Sequence, residues 1–178
     1  MASLLLVSNS TLHGSGYLDH VETEIRDFLK SGARIAFIPF ALYDRNQYTD
    51  QARERLRAMG YDVISVHDVP NAQRAIKESD AVFVGGGNTF RLLKELYDWD
   101  LLEGIRQAVE DGKPYVGSSA GSIVACPSLK TTKDMPIVHH LRLRLSGWSV
   151  FRSALIISTP IHRQLTWARP KSSGYCSS

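Results

Sequence analysis

At 178 residues, with 43% hydrophobic and 22% charged side chains, the chain suits one domain that buries roughly two-thirds of its unfolded surface. No apolar run nears the ~18 residues of a membrane-spanning helix. The two cysteines, Cys126 and Cys176, support neither a disulfide framework nor a cysteine-rich metal site.

Residues 1–7 include an apolar stretch, but no basic residue precedes it and no small-residue cleavage site follows. A cytoplasmic protein with reduced thiols and no leader is therefore expected. Residues 3–8 read as the first strand, short and apolar as in a sheet buried on both faces. Leu18, Val21, Ile25, Phe28 and Leu29 then recur at helical spacing, with Gly32 as the stop. Residues 34–40 form a second strand. Tyr48, Ala52, Leu56 and Met59 repeat the helical pattern before Gly60. Strands follow at 62–66, 80–84 and 114–118, and short helices at 72–77 and 89–96. Leu101, Leu102, Ile105, Ala108 and Val109 mark a further helix, closed by Gly112. Strand and helix in alternation predict an α/β fold, a parallel sheet flanked by helices on both faces. Ligands in such folds collect beyond the carboxyl ends of the strands.

Two of those ends carry chemistry. After the fifth strand, Gly117-Ser118-Ser119-Ala120-Gly121 fits the G-x-S-x-G turn that lifts a serine hydroxyl above a sheet, and an apolar helical run follows. A tight turn with idle serines is the structural alternative. After the fourth strand come Gly85, Gly86, Gly87, Asn88 and Thr89. The glycines let backbone N–H groups approach a ligand closely. There is no G-x-G-x-x-G and no Walker lysine, so an oxyanion hole shared with the Ala120 amide fits better than a phosphate cradle. A plain turn remains the alternative.

These loops, taken with Ser8-Asn9-Ser10-Thr11, Ile38-Pro39-Phe40, Tyr48-Thr49-Asp50, Leu92-Leu93-Lys94, Ala125-Cys126-Pro127 and the segment from Thr131 to Val138, carry a resemblance. Over residues 3–138 the sequence resembles the α-aspartyl dipeptidases, also called peptidase E, of serine peptidase family S51. The resemblance implies a fold of the class I glutamine-amidotransferase or flavodoxin-like kind, truncated at its C-terminal part. It implies a cytoplasmic enzyme that cleaves dipeptides with an N-terminal aspartate, needs no metal or cofactor, and pairs as a homodimer. Ser119 takes the position of the nucleophile and Asp134 that of a catalytic carboxylate. Gly86, Gly87, Asn88 and Ala120 fall on the oxyanion and substrate-binding positions. From its local sequence alone, Asp134 reads equally well as a turn carboxylate before a proline.

The family's base histidine, in an N-P-H segment beyond the acidic motif, has no counterpart here. His139 and His140 come too early, and His162 lies in a stretch without family context. His13, His20 and His67 sit in no motif. Residues 1–138 carry 15 basic and 18 acidic side chains, whereas 139–178 carry six basic and no acidic ones. We read 1–138 as the incomplete hydrolytic domain and 139–178 as a poorly ordered tail translated out of frame. Thr166-Trp167-Ala168-Arg169-Pro170 can be encoded so that a two-base shift yields Met-Gly-Glu-Thr, a family motif. The basic tail and its Leu-Arg alternation at 141–145 are expected to contact neither nucleic acid nor membrane. Glycosylation at Asn9 is not expected in a cytoplasmic chain. An inactive member without the base is the second reading, and a nucleotide-binding module built on the glycine loop is the third.

Overall fold

A computed structural model describes residues 3–126, 132–135, 137, 154–157 and 166–167. Five strands match the apolar runs: β1 (Leu4–Val7), β2 (Arg34–Ile38), β3 (Asp62–Ser65), β4 (Ala81–Val84) and β5 (Tyr115–Ser118). Two further strands lie in the tail, β6 (Ala154–Ile157) and β7 (Thr166–Trp167). The sheet order is β3-β2-β4-β5-β1-β6-β7. All pairings from β3 to β6 are parallel, and β7 runs antiparallel to β6. Neighbouring parallel strands need crossovers, and the helices supply them.

α1 (Glu22–Phe28) follows a 3₁₀ turn, Asp19–Val21. The helix expected from Leu18 onward starts later because Leu18 takes a left-handed φ of 59° and ends the preceding loop. α2 (Arg45–Ala58) starts earlier than the apolar spacing alone suggests. The Asp44 carboxylate accepts the Gln47 N–H and caps its first turn. α3 (Ala72–Glu78), α4 (Thr89–Asp98), α5 (Leu102–Glu110) and the short α6 (Ala120–Val124) complete the set. No helix among the described residues is long and apolar enough to cross a membrane.

The alternating strand faces feed two cores. Leu4, Leu6, Ala36, Ile38, Val82, Val84 and Tyr115 face α3, α4, α5 and α6. Leu5, Val7, Ile35, Phe37, Ala81, Phe83 and Val116 face α1 and α2. Burial on both faces is why these strands carry no polar alternation. The register Leu4↔Tyr115 and Val7↔Ser118 brings the end of β1 level with the start of the serine turn.

The Leu-Arg alternation at 141–145 suits an edge strand or a disordered segment, whereas no strand is expected at 154–157. β6 pairs Leu4↔Ala154 through Val7↔Ile157, so this part of the tail continues the sheet beside β1. The Leu-Arg run at 141–145, His139, His140 and His162 lie outside the described residues.

Candidate active site

Ser119 stands at the junction of β5 and α6 with φ 49° and ψ −108°, a left-handed conformation that side chains other than glycine rarely adopt. The turn is held from several sides. The Ser119 N–H donates to the Val7 carbonyl at 2.8 Å. The Ser122 hydroxyl lies 2.8 Å from the Val7 carbonyl and 2.7 Å from that of Gly117. The buried Tyr115 phenol donates to the Gly121 carbonyl at 2.7 Å, and burial pushes its ionisation far above the ordinary tyrosine range.

Glycine is needed at both flanks of the serine. A Cβ at Gly117 would stand 2.7 Å from the Gly121 carbonyl oxygen, and one at Gly121 would collide with the Val84 carbonyl at the end of β4. The turn therefore packs directly on the strand that leads into the glycine loop. Ser118 is fully buried and Ser122 is committed to carbonyls. Ser119, half-buried, is the serine of the three left free to react: no hydrogen bond engages its hydroxyl among the described residues.

The glycine loop lies against this serine. A Cβ on Gly86 would come within 3.1 Å of Ser119 Cβ, and one on Gly87, where φ is 137°, within 2.5 Å of the Ala41 carbonyl. Most of its amides are already used. Gly85 N–H donates to Ile38 O at 3.0 Å and Asn88 N–H to Ala41 O at 2.9 Å. Gly86 N–H donates to the Tyr48 hydroxyl at 2.7 Å. The Gly87 N–H has no partner among the described residues. Ala120 is the first residue of α6, so its N–H has no acceptor within the helix. Of the four residues expected at the oxyanion position, Gly87 and Ala120 thus keep free amides, while those of Gly86 and Asn88 are engaged elsewhere.

The Asn88 side chain caps α4, accepting the Arg91 N–H at 3.0 Å through Oδ1 and donating from Nδ2 to Met135 O at 3.0 Å. Asp134 docks beside it. Its Oδ2 accepts the Thr89 N–H at 2.7 Å and the Thr89 hydroxyl at 2.5 Å. Thr132 Oγ1 donates to Thr89 Oγ1 and accepts the Asp134 N–H. Partial burial raises the Asp134 pKa, but the hydrogen bonds from Thr89 outweigh it and hold the carboxyl below the usual range. Oδ1 carries no hydrogen bond among the described residues, which leaves one oxygen available to orient an imidazole.

Among the described residues no hydrogen bond joins a histidine to Ser119. The His67 Nδ1 lies 2.7 Å from Ser65 Oγ, and its Nε2 lies 2.9 Å from Asn46 Oδ1 and 3.0 Å from Asp68 Oδ1. Two oxygen acceptors at Nε2 assign the proton there, so Nδ1 accepts from Ser65. Burial lowers the His67 pKa against the opposing pull of Asp68. His20 has both ring nitrogens buried without a partner among the described residues, and no hydrogen bond joins it to Ser119. The Cys126 thiol donates to Ser122 O at 3.3 Å, and burial pushes its pKa up, which makes it a spectator. No group of three or more metal-binding side chains converges among the described residues.

Sequence reasoning placed Tyr48 in a helix core and missed its hydroxyl. The available signal was the polar end of a tyrosine on an apolar helix face, which must find a partner when buried. An open hollow of about 490 Å³, lined by Leu42, Tyr43, Asp44, Gln47, Tyr48 and Gln51, borders this tyrosine.

The sequence profile of peptidase family S51 matches residues 4–156. The chain belongs to that family. Peptidase E of Streptomyces coelicolor is 52% identical over 136 residues, covering 76% of this chain and 56% of that protein. A probable alpha-aspartyl dipeptidase of Drosophila melanogaster is 46% identical over 140 residues, covering 77% of this chain and 58% of its own length. The S51 chain thus spans a little over half the length of these relatives. The crystal structure of a putative peptidase E from Listeria monocytogenes superposes with a TM-score of 0.64 at 24% identity, covering 80% of this chain and 73% of that one. This likeness shows that the S51 chain shares the α/β fold of that structure, a parallel sheet flanked by helices. The family profile runs past residue 138 to the penultimate residue of β6.

Proposed function

We propose that this S51 chain carries the nucleophilic half of a serine dipeptidase acting on small peptides with an N-terminal aspartate. The strained backbone of Ser119, pressed against the glycine loop, is the observation that carries the reading. Ser119 Oγ attacks the peptide carbonyl carbon and forms the new C–O bond. The carbonyl π electrons move onto oxygen, where the Gly87 and Ala120 amides donate to the developing charge. The serine proton goes to a base and then to the departing amine as the C–N bond breaks. Asp134 supports this assembly by tying residues 132–135 to the start of α4, and its free Oδ1 suits an imidazole N–H. The aspartate preference is supported by the names of the relatives, and cytoplasmic residence and pairing of two copies by the family resemblance.

One observation favours a second reading. No hydrogen bond links Ser119 Oγ to a histidine among the described residues. A member without its base keeps the oxyanion donors and substrate contacts, with only ~10³–10⁴-fold acceleration over water. An out-of-frame tail after residue 138 belongs to this reading, set against a family profile that reaches residue 156 and a strand at 154–157 that pairs with β1.

Incubating the full chain with a fluorophosphonate and with Asp-Leu separates the two. Labelling of the wild type and turnover of Asp-Leu, both abolished in Ser119→Ala, establish the enzyme. Labelling without turnover establishes a nucleophile lacking its base. Neither labelling nor turnover overturns the proposed role of Ser119. Sequencing the coding DNA across the codons for Val138 and His139 tests the frame, and the idea fails if no alternative frame encodes family sequence downstream.

A further inference from the structure

We propose that Tyr48 is a positioning residue of the glycine loop: its phenol occupies the Gly86 amide and so leaves the Gly87 amide as the loop's donor at Ser119. This deepens the serine-hydrolase reading and rests on it. Tyr48 lies on the buried face of α2 and is 5% exposed. Its ring meets Phe37 edge-on at 5.2 Å and Tyr17 at 6.0 Å between centroids, a packing that fixes where the oxygen points. That oxygen accepts the Gly86 N–H at 2.7 Å and the Tyr17 hydroxyl at 3.3 Å.

The three glycines have separate reasons, and Tyr48 supplies the first. A Cβ on Gly85 would stand 2.6 Å from the Tyr48 hydroxyl and ring, so the phenol fills the space of the missing side chain. Gly86 makes room for Ser119, and Gly87 for the Ala41 carbonyl at a φ of 137°. Along the loop the amides of residues 85, 86, 88 and 89 each find an acceptor, and the Gly87 amide stands alone. Without the phenol, the Gly86 N–H would be buried and unpaired. It would then compete for another acceptor and turn the 86–87 peptide with it. A neutral phenol suits this place better than a carboxylate, which would accept the same bond but add negative charge beside the forming oxyanion. Burial supports this by raising the Tyr48 pKa, so the group stays uncharged.

The test compares Tyr48→Phe with the wild type, using the full chain uniformly labelled with nitrogen-15. The substitution keeps the ring and removes the oxygen. The Gly86 and Gly87 amide resonances should shift and their hydrogen exchange should quicken. Phosphonylation of Ser119 by a fluorophosphonate should slow roughly 10- to 100-fold at saturation, part of what a lost oxyanion donor costs, with the half-saturating concentration unchanged. Tyr17→Phe, which removes only the support behind the phenol, should give a smaller change of the same kind. A merely structural role would lower the melting temperature and leave the saturated rate within about twofold. That result, with unmoved Gly87 signals, overturns the proposal. If Tyr48→Phe fails to fold, a fluorinated tyrosine at position 48 keeps the shape and weakens the acceptor, and the same outcomes decide. If the wild type itself is not labelled, the role of Ser119 fails, and the Gly86 and Gly87 resonances decide the role of Tyr48 on their own.

Discussion

Ser119 holds a backbone conformation that costs of order 1–3 kcal/mol at a residue with a side chain, and the surrounding contacts keep it there. Gly121 is the residue on which that arrangement turns, since its α-carbon lies against the end of β4. Gly121→Ala would drive a methyl group into the Val84 carbonyl, and backbone cannot yield as a flexible side chain can. The variant should lose about 3 kcal/mol or more of stability in urea unfolding, and any folded fraction should react more slowly with a fluorophosphonate. Gly104, half-buried on α5 with no atom within 4 Å of a built Cβ, provides the control, because Gly104→Ala should be neutral or stabilising. The spacing of Gly117, Ser119 and Gly121 made this site legible in sequence, since a glycine pair around a serine between strand and helix has few uses. The partner of the Tyr48 hydroxyl is not legible, because helical periodicity marks the ring as buried and implies a hydrogen bond for its oxygen without saying to what.

At the scale of elements, the start of α4 gathers contributions from distant segments. Asn88 caps it from within, while Asp134 reaches it across 45 residues of sequence. No local pattern reveals such a contact. Residue 134 therefore read equally well as a turn residue, whereas the strands were legible from runs such as Leu4–Val7 and Ala81–Val84, which are apolar because both their faces are buried. The Asp134 pKa is lower in the folded chain, so its carboxylate stabilises the fold above the ordinary aspartate value of about 3.9. That contribution is lost as pH falls through the folded-state value. Asp134→Asn should lower stability by about 1 kcal/mol near neutral pH, and the difference from the wild type should shrink as pH drops below about 4. Urea midpoints across that range check it, and a gap that is constant with pH would contradict the ionised docking of Asp134 on Thr89.

For the molecule as a whole, the decisive neighbour is β6. Its Ala-Leu-Ile-Ile run resembles the other strands, but four apolar residues cannot be assigned by periodicity alone. In the sheet they cover the edge of β1. A chain ended after Val138 should therefore expose the β1 backbone N–H and C=O groups that face β6 and self-associate through them. Light scattering against concentration should show the shortened chain aggregating where the full one stays dispersed. Equal behaviour would mean that β6 contributes little to closing that side.

The sheet order carries one more consequence. β1 precedes both of its partners, β5 and β6, by most of the sequence. Its terminal residue also anchors the serine turn, with Ser122 reaching the Val7 carbonyl across 115 positions. Contacts so distant in sequence form late in folding. The strand that anchors the serine turn thus gains both partners only from distant sequence, and the turn around Ser119 is completed in the same step that closes the sheet.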